Sequence, residues 1–357
     1  MPGQLDILAL EPFYGGARRA MLESLIRCSR HRWTLLKLPP RRIERRLQTA
    51  SIWFAEQLSR HLAGRVDVLF VSDALNLSDL LRLVPELSHK PTVAYFHSNQ
   101  LPAQGESAKD AWDLVNLSTA TAATEVWFNS LFHLRWFLAK ASSLVQKHSE
   151  LAARNPLPEI AGKAHVMLPP VDLGMVHDFA RTRVKRDEKT VFVDTRDTDM
   201  KLLNAGLLTL ARRATRFKLV TVGPVKELAS ELTRTALAET NDAAHVEAML
   251  GSGVYLSAKT LATHDHHAVR AVAAGCWPIV PAGGVYPELI PESLHAACLY
   301  EQSSDALATR AQNVWHLTRP EDADAPLKEM LHRFDTLNTC RHIDQRLEEL
   351  AVIHTVR

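Results

Sequence analysis

The sequence predicts an α/β protein built from two Rossmann-like domains whose parallel sheets face each other across a cleft. Short runs rich in Val, Ile, Leu and Phe recur along the chain, and each is followed by a segment with helical periodicity. This alternation is typical of parallel sheets covered by crossover helices. The series stops and starts again after a charged stretch, FARTRVKRDEK at 179–189. Each half has the length of an ordinary domain, and we expect the boundary near 173–188, with domains at 1–178 and 179–357.

The apolar runs define the expected strands. In the N-terminal domain they lie at 5–11, 33–38, 66–71, 92–97, 125–129 and 164–168. In the C-terminal domain they lie at 190–195, 217–222, 253–257, 277–281 and 297–300. The last segment, CRHIDQRLEELAVIH at 340–354, has helical periodicity and is expected to pack back on the first domain.

The composition indicates a soluble globular protein. The 357 residues are 46% hydrophobic and 23% charged, which is too apolar for a disordered chain and long enough for two packed cores. No uncharged apolar run reaches the roughly eighteen residues of a membrane span. Asp6 and Glu11 interrupt the region where a signal peptide would carry its apolar core. We therefore expect a cytoplasmic protein without a membrane partner.

The residues that follow each strand are the candidates for binding, because ligands of open parallel sheets bind beyond the carboxyl ends of the strands. The segment EPFYGG follows the first expected strand. Gly15 and Gly16 remove two Cβ atoms there, so that backbone N–H groups can approach an anion or a sugar. A tight turn that needs positive φ explains the same glycines equally well. The pair does not form a GxGxxG fingerprint, which argues against a dinucleotide cofactor.

Several of these segments together resemble one family. They are EPFYGGARRAMLESL at 11–25, DALNLSDLLRLVPEL at 73–87, YFHSNQLP at 95–102, VWFNSLFHLRWFL at 126–138, TRDTDMK at 195–201 and AVAAGCWPIVPAGGVYPELIP at 271–291. The combination resembles the tRNA-queuosine alpha-mannosyltransferases, which belong to the large retaining glycosyltransferase family that also contains sucrose and glycogen synthases. The resemblance implies a GT-B fold and transfer of mannose from GDP-mannose to queuosine in the anticodon of tRNA(Asp), with retention. It implies tRNA and a nucleotide sugar as partners, and no cofactor.

The resemblance assigns donor binding mainly to the second domain. Arg196 and Lys201 keep the family's spacing of an Arg, four residues and a Lys, and two cations there can neutralise a departing diphosphate. His97, at the end of a strand, can hydrogen-bond the donor sugar or orient the acceptor. These three residues form the expected catalytic set. The other expected donor-binding residues are Gly15, Gly16, His264, Arg270, Gly283, Gly284 and Glu288. Glu288 can equally cap the next helix.

Acceptor binding is expected in the first domain. Its candidates are Tyr14, Arg18, Arg19, Asn99, Gln100, Asn129 and Ser130. Amide groups can pair with sugar hydroxyls or a base, although Asn129 and Ser130 are also well placed to cap a helix. An RNA loop would need further cations with nearby aromatic rings. The residues that could provide them are Arg41, Arg42, Arg45, Arg46, His133, Arg135 and Trp136.

The family's two marker carboxylates are missing. A Glu, seven residues and a second Glu are replaced by Ala262 and Arg270, and Ser98 stands where another Glu is usual. A guanidinium cannot accept a hydrogen bond from a ribose hydroxyl, so Arg270 is expected to bind a phosphate or a neighbouring acid. Two alternatives therefore stay open: a related glycosyltransferase with another donor or acceptor, and a GT-B-shaped protein that binds nucleotides or RNA without catalysis.

No metal site is expected. The segment THDHH at 263–267 is rich in ligands, but adjacent residues converge poorly on one ion, and HxxxH and HExxH are absent. Asp265 and the histidines are expected to cap a helix or to contact the donor. The cysteines form no CxxC pair and are expected to be reduced and buried: Cys28, Cys276, Cys298 and Cys340. The oligomeric state does not follow from the sequence.

Overall fold

The chain divides into two compact units. The computed structural model describes residues 3–61, 65–98, 113–181, 184–213, 216–226, 228–230, 232, 234–239, 241–316 and 320–356. Unit 1 combines Met1–Pro170 with Thr336–Arg357, and unit 2 is Val171–Asp335. The division falls earlier than the boundary expected at 178, because the helix Gly174–Ala180 packs on the helix Asp242–Gly251 of unit 2.

Unit 1 is a parallel six-stranded sheet covered by helices, in the order β2-β1-β3-β4-β5-β6. Its strands are β1 Asp6–Glu11, β2 Arg32–Lys37, β3 Val68–Ser72, β4 Thr92–Phe96, β5 Glu125–Phe128 and β6 Ala164–Val166. Its helices are α1 Gly16–Cys28, α2 Ile43–His61, α3 Leu77–Leu83, α4 Asp113–Ala122, α5 Leu131–Lys147, α6 Ser149–Ala153, α7 Leu157–Gly162 and, at the end of the chain, α16 Thr336–Val356, with a 3-10 turn at Pro85–Leu87. The strands expected from the apolar runs of this half are confirmed.

The core of unit 1 lies on both faces of its sheet. Strand β1 sends Leu8 and Leu10 to one cluster and Ile7 and Ala9 to the other, as the two-residue period of a strand requires. The first cluster is covered by α2 to α5. The second is covered by α1 and by the apolar side of α16, where Leu347 is fully buried.

Unit 2 repeats this architecture, in the order β12-β11-β10-β7-β8-β9. Its strands are β7 Asp187–Asp194, β8 Lys218–Val222, β9 Arg234–Leu237, β10 Ser252–Leu256, β11 Trp277–Pro281 and β12 Leu299–Tyr300. Its helices are α8 Gly174–Ala180, α9 Met200–Arg212, α10 Asp242–Gly251, α11 His266–Ala273, α12 Tyr286–Leu289, α13 His295–Cys298, α14 Ser304–His316 and α15 Asp324–Phe334, with a 3-10 turn at Glu292–Leu294. Strand β9 was not expected, because its residues RTAL are few and lie half-exposed or exposed at the sheet edge.

Both sheets contain a point at which the strand order reverses. In unit 1 this point lies between β1 and β3, and in unit 2 between β7 and β10. The carboxyl ends of the strands on either side of such a point form the crevice where open α/β sheets bind ligands. None of the helices in the described ranges is long and apolar enough to cross a membrane.

Candidate active site

Glu11 ends β1 beside the reversal point of unit 1. Its carboxylate is buried, with 1% of the residue exposed. Its Oε1 accepts hydrogen bonds from the Phe13 backbone N–H at 2.8 Å and from the Ser72 hydroxyl at 3.1 Å. Its Oε2 makes no hydrogen bond with any residue that the structure describes. Burial raises the pKa of Glu11 above its ordinary value, against the opposing effect of Arg18.

Asp73 follows β3 and forms a buried ion pair with Arg18. The two Nη atoms of Arg18 donate to the two carboxylate oxygens at 2.7 and 2.6 Å, and both residues are almost inaccessible to solvent. Arg18 Nη1 also approaches Glu11 Oε2, at 4.0 Å. Asp73 Oδ1 accepts from the backbone N–H of His97 at 3.0 Å. Arg18 was expected to contact the acceptor, and the structure places its guanidinium in this buried pair.

His97 leads into a polar chain at the ends of β4 and β5. Its carbonyl accepts from Asn129 Nδ2 at 2.9 Å, and Asn129 Oδ1 lies 2.9 Å from Nδ1 of His133. Ser130 caps α5 by accepting from the backbone N–H of His133 at 3.0 Å. Asn129 and Ser130 therefore stabilise the strand ends and the start of α5, and a structural role was one of the two expected for them. His133 is buried, so it does not contribute to a cationic surface; burial, with the charge of Arg18, lowers its pKa to about 3.

The two glycines after β1 have different environments. Gly15 is extended, and a Cβ on it would meet the Pro40 side chain at 2.6 Å. Gly16 has φ of +53°, and a Cβ on it would meet nothing within 4 Å. Tyr14 donates its hydroxyl to Glu23 at 2.9 Å, and Glu23 also pairs with the exposed Arg19. The turn is thus built by close packing at one glycine and by positive φ at the other.

The remaining candidates for binding the acceptor or an RNA loop in unit 1 are exposed, half-buried or outside the described residues. Asn99 and Gln100 lie outside the described residues. Arg41, Arg42, Arg45 and Arg135 are exposed, whereas Arg46 and Trp136 are half-buried. The Trp136 ring stacks on Phe132 with 6.0 Å between centroids.

Asp194 ends β7 beside the reversal point of unit 2, and three basic side chains converge on it. Arg196 donates from Nε and Nη2 at 2.8 and 3.0 Å. Lys259, only 9% exposed after β10, donates from Nζ at 2.7 Å, and Nδ1 of His267 lies at 2.9 Å. Burial alone would raise the pKa of Asp194, but Lys259, His267 and Arg196 hold it well below the ordinary value.

Asp265 is a second buried carboxylate of the same region. It caps α11 by accepting from the backbone N–H groups of His267 and Ala268, as its place at the helix start predicts. Its Oδ2 also accepts from the hydroxyls of Tyr255 and Tyr286, at 2.6 and 2.8 Å. Lys259 Nζ lies 3.9 Å from its Oδ1. Asp194 and Asp265 therefore share one buried ammonium group.

Arg196 and Lys201, the two residues expected to bind the diphosphate, differ in how far other side chains hold them. Arg196 uses its Nε and Nη2 edge for Asp194, and its Nη1 has no hydrogen-bond partner in the described part of the chain. Lys201 is exposed in the first turn of α9, and no ion pair holds it within the described ranges.

The residues at the position of the missing carboxylates take other roles. Ala262 contacts the next loop through its carbonyl, which accepts from the Val285 backbone N–H at 2.8 Å. Arg270 is 8% exposed, and Asp242 lies 4.0 Å from its Nη1. In the described part of the chain, the Nε of Arg270 makes no hydrogen bond. The neighbouring acid that the sequence predicted is therefore present but distant. The His264 ring lies 5.8 Å from Phe334, and burial lowers its pKa to about 4.

The glycine loop after β11 is held against the loop 260–262. A Cβ on Gly283 would meet Gln302 Nε2 at 2.3 Å, and Gly284 has φ of +60° with the Ala262 carbonyl 2.9 Å from its Cβ position. Glu288 lies in the first turn of α12, where its carboxylate complements the helix dipole, and its carbonyl accepts from Arg333. These glycines are explained by packing and backbone conformation within unit 2.

Sequence reasoning did not single out four of the residues on which these networks depend: Glu11 as a buried group, Asp73, Asp194 and Lys259. All of them lie at or just after the end of a strand that borders a reversal point. The rule that ligands bind beyond strand ends would have selected all four. The three acidic residues were passed over because a carboxylate does not bind the phosphate groups that were expected there. Among the described residues, no group of three or more His, Cys, Asp or Glu could hold a metal ion.

Comparison with known proteins gives consistent matches. Residues 6–171 match the family described as tRNA-queuosine alpha-mannosyltransferase N-terminal. The tRNA-queuosine alpha-mannosyltransferase of Drosophila melanogaster is 27% identical, over 88% of this chain and 88% of that protein. The structure of Anabaena HepE in complex with UDP matches with a TM-score of 0.67 at 14% identity, over 97% of this chain and all of that one. Sucrose-phosphate synthase from Thermosynechococcus elongatus also matches with a TM-score of 0.67, at 14% identity and over 98% of this chain.

Two parallel-sheet α/β units, together with these structural neighbours, define the fold of the chain as GT-B, which confirms the expected fold class. The match of residues 6–171 and the Drosophila relative confirm the expected enzyme class, a hexosyltransferase. Within that class, the resemblance to the tRNA-queuosine alpha-mannosyltransferases that the motifs at the strand ends predicted is confirmed by the match of residues 6–171 and by the Drosophila relative.

Proposed function

We propose that the protein transfers mannose from GDP-mannose to queuosine in the anticodon of tRNA(Asp), with retention of configuration. The observation that carries the proposal is the cationic group at the reversal point of unit 2, where neither Arg196 Nη1 nor the Lys201 ammonium group has a partner among the residues that the structure describes. The match of residues 6–171 to the family model and the name of the Drosophila relative support mannose as the sugar and queuosine as the acceptor.

The chemistry assigned to unit 2 is stabilisation of the leaving group. When the glycosidic bond to the diphosphate breaks, negative charge develops on the phosphate oxygens, and preorganised cations stabilise that charge without a metal. Asp194 fixes the orientation of the Arg196 guanidinium through two hydrogen bonds. The proposed reaction thus uses no cofactor, and we propose that it takes place in the cytoplasm.

The direct test is transfer itself. Purified protein is incubated with queuosine-containing tRNA(Asp) and a panel of nucleotide sugars, and the modified nucleoside is analysed by mass spectrometry. The proposal predicts a hexose adduct from GDP-mannose and little from the other donors. A protein that forms no adduct with any donor would contradict it.

The roles of the two cations are tested by substitution. Arg196→Ala or Lys201→Ala should weaken GDP binding and transfer by about 1.5 to 3 kcal/mol, the worth of a hydrogen bond to a charged group. Lys218→Ala, at an exposed ion pair with Asp187 in the same unit, is the matched control. Isothermal titration calorimetry with GDP and initial rates of transfer give the two readouts.

A second candidate function is nucleotide or RNA binding without catalysis. The replacement of both marker carboxylates, by Ala262 and by the buried Arg270, favours it. This second function predicts that GDP binds in calorimetry and that no sugar adduct forms. The leading proposal predicts that GDP binds and that a hexose adduct forms.

A further inference from the structure

The buried groups at the reversal point of unit 1 carry an excess of negative charge. Glu11 and Asp73 are two carboxylates with 1% and 0% exposure, and Arg18 is the guanidinium between them. Arg18 gives both of its Nη atoms to Asp73, at 2.7 and 2.6 Å, and comes only within 4.0 Å of Glu11. Two carboxylates therefore share one cation.

One oxygen of this pair has no donor among the described residues. Oε1 of Glu11 accepts from the Phe13 N–H and the Ser72 hydroxyl, while Oε2 is buried and makes no hydrogen bond within the described ranges. A buried acceptor without a donor costs free energy, and a buried charge without a partner costs more. A ligand that brings a positive charge and an N–H group would remove both costs at once.

We propose that Glu11 and Asp73 form a recognition site for the protonated secondary amine of the acceptor nucleoside. Queuosine carries such an amine, in the arm that joins its deazaguanine to a cyclopentenediol. The Glu11 carboxylate binds the positive charge. Arg18, which is paired with Asp73, lies 4.0 Å from that carboxylate and helps to hold its position. This assignment rests on the proposed function, because it names the chemical feature by which that acceptor is selected.

An organic ammonium group fits this site better than a metal ion does. Arg18 already lies against both carboxylates, so a divalent cation would meet a guanidinium at short range. No cluster of three metal-ligating side chains exists in the described part of the chain. A secondary ammonium has one positive charge and two N–H donors, one of which suits the buried Oε2 of Glu11 that lacks a donor among the described residues.

The test compares acceptors that differ in charge. Wild-type protein is assayed with an anticodon stem-loop that contains queuosine and with the same stem-loop acylated at the secondary amine, which makes the amine neutral. We expect kcat/KM for the acylated acceptor to be lower by about tenfold or more, as the loss of one charge-assisted hydrogen bond implies. Equal transfer to both acceptors would overturn the assignment without any substitution in the protein.

A substitution then locates the effect. Glu11→Gln keeps the size of the side chain and removes the charge, and it should reduce the ratio of the two kcat/KM values towards one by raising KM for the natural acceptor. Glu159→Gln, on the exposed ion pair with Lys163 in unit 1, should retain the wild-type ratio. GDP affinity should be unchanged in both variants. A Glu11→Gln variant that keeps the wild-type ratio would refute the role of Glu11.

Binding separates this inference from the proposed function. Fluorescence anisotropy compares stem-loops that contain queuosine or guanosine at the same position, with wild-type and Glu11→Gln protein. A preference for queuosine that Glu11→Gln abolishes supports amine recognition even if no sugar is transferred. Equal affinity of wild-type protein for the two stem-loops overturns it, whatever the transfer assay shows.

Discussion

The two reversal points of this protein carry different balances of charge. In unit 1, two buried carboxylates, Glu11 and Asp73, share the single guanidinium of Arg18. In unit 2, Asp194 and Asp265 meet two cations, Arg196 and Lys259, with His267 also in contact. Arg270 and Lys201 add further positive charge nearby, and Arg270 comes no closer than 4.0 Å to its acid.

The difference shows how one architecture can prepare two kinds of binding. Parallel sheets with a reversal point place the same kind of crevice beyond their strand ends, so the fold does not decide what binds there. The charged groups at the ends of the central strands decide it. In unit 1 the buried carboxylates outnumber the one guanidinium, which suits a cationic acceptor. In unit 2 the cations equal the carboxylates in number and Lys201 adds an exposed ammonium group, which suits a diphosphate.

The largest effect is expected from breaking the ion pair of unit 1. Asp73→Ala leaves Arg18 buried without its carboxylate, which should lower the free energy of unfolding by about 3 to 5 kcal/mol. Glu159→Gln removes an exposed helical pair and should change it by no more than about 0.5 kcal/mol. Urea denaturation followed by circular dichroism measures both. A loss below about 1 kcal/mol for Asp73→Ala would mean that this pair does not organise the unit.

The corresponding change in unit 2 is Asp194→Asn, and its effect should depend on pH. The pKa of Asp194 is held below its ordinary value, so the unfolded chain binds the proton more tightly than the native protein does. The stabilisation is therefore complete above the unfolded pKa of 3.8 and is lost as the pH falls below it. Near pH 7 we expect a loss of about 3 kcal/mol, because Lys259 stays buried without its main partner.

The measurement for Asp194→Asn is urea unfolding of wild type and variant at several pH values. The difference in the free energy of unfolding between wild type and variant should be constant from about pH 6 to 8. It should shrink as the pH approaches 3.8 and falls below it. A difference that grows on acidification would contradict the assigned sign.

His133 gives unit 1 a pH dependence of its own. Its pKa is lowered from 6.5 to about 3 by burial, so below pH 6.5 only the unfolded chain takes up this proton. Wild-type stability should therefore fall with acidification by up to about 1.4 kcal/mol per pH unit more than that of His133→Gln, which lacks the ring. Parallel stability profiles of the two proteins between about pH 4 and 6.5 would show that His133 does not remain neutral in the folded state.

The fold was predictable from the sequence to a larger extent than the candidate site. Long apolar runs identified most strands, because buried strands of a parallel sheet are apolar on both faces. The edge strand β9 was missed, since its half-exposed residues RTAL carry no such run. The motif residues Arg196 and Lys201 were found by resemblance, but the partners of Arg196 were not. Asp194 and Lys259 are far apart in sequence, and only the pairing of β7 with β10 brings them together.

The smallest effect on stability is expected from substitutions in the turns that follow β1 and β7, because both turns contain one residue with positive φ. Gly16 after β1 and Asp197 after β7 both have φ of about +53°. Gly16→Ala adds a methyl group with nothing within 4 Å, so its cost is conformational and should be about 1 kcal/mol. Asp tolerates this conformation better than most residues do, and Asp197→Gly should therefore change stability by less than about 0.5 kcal/mol, because relief of strain is offset by the entropy of glycine in the unfolded chain. Thermal and urea unfolding of both variants test the pair. A loss for Asp197→Gly as large as that for Gly16→Ala would mean that the Asp197 side chain itself holds the turn of unit 2, whereas the turn of unit 1 depends on backbone conformation alone.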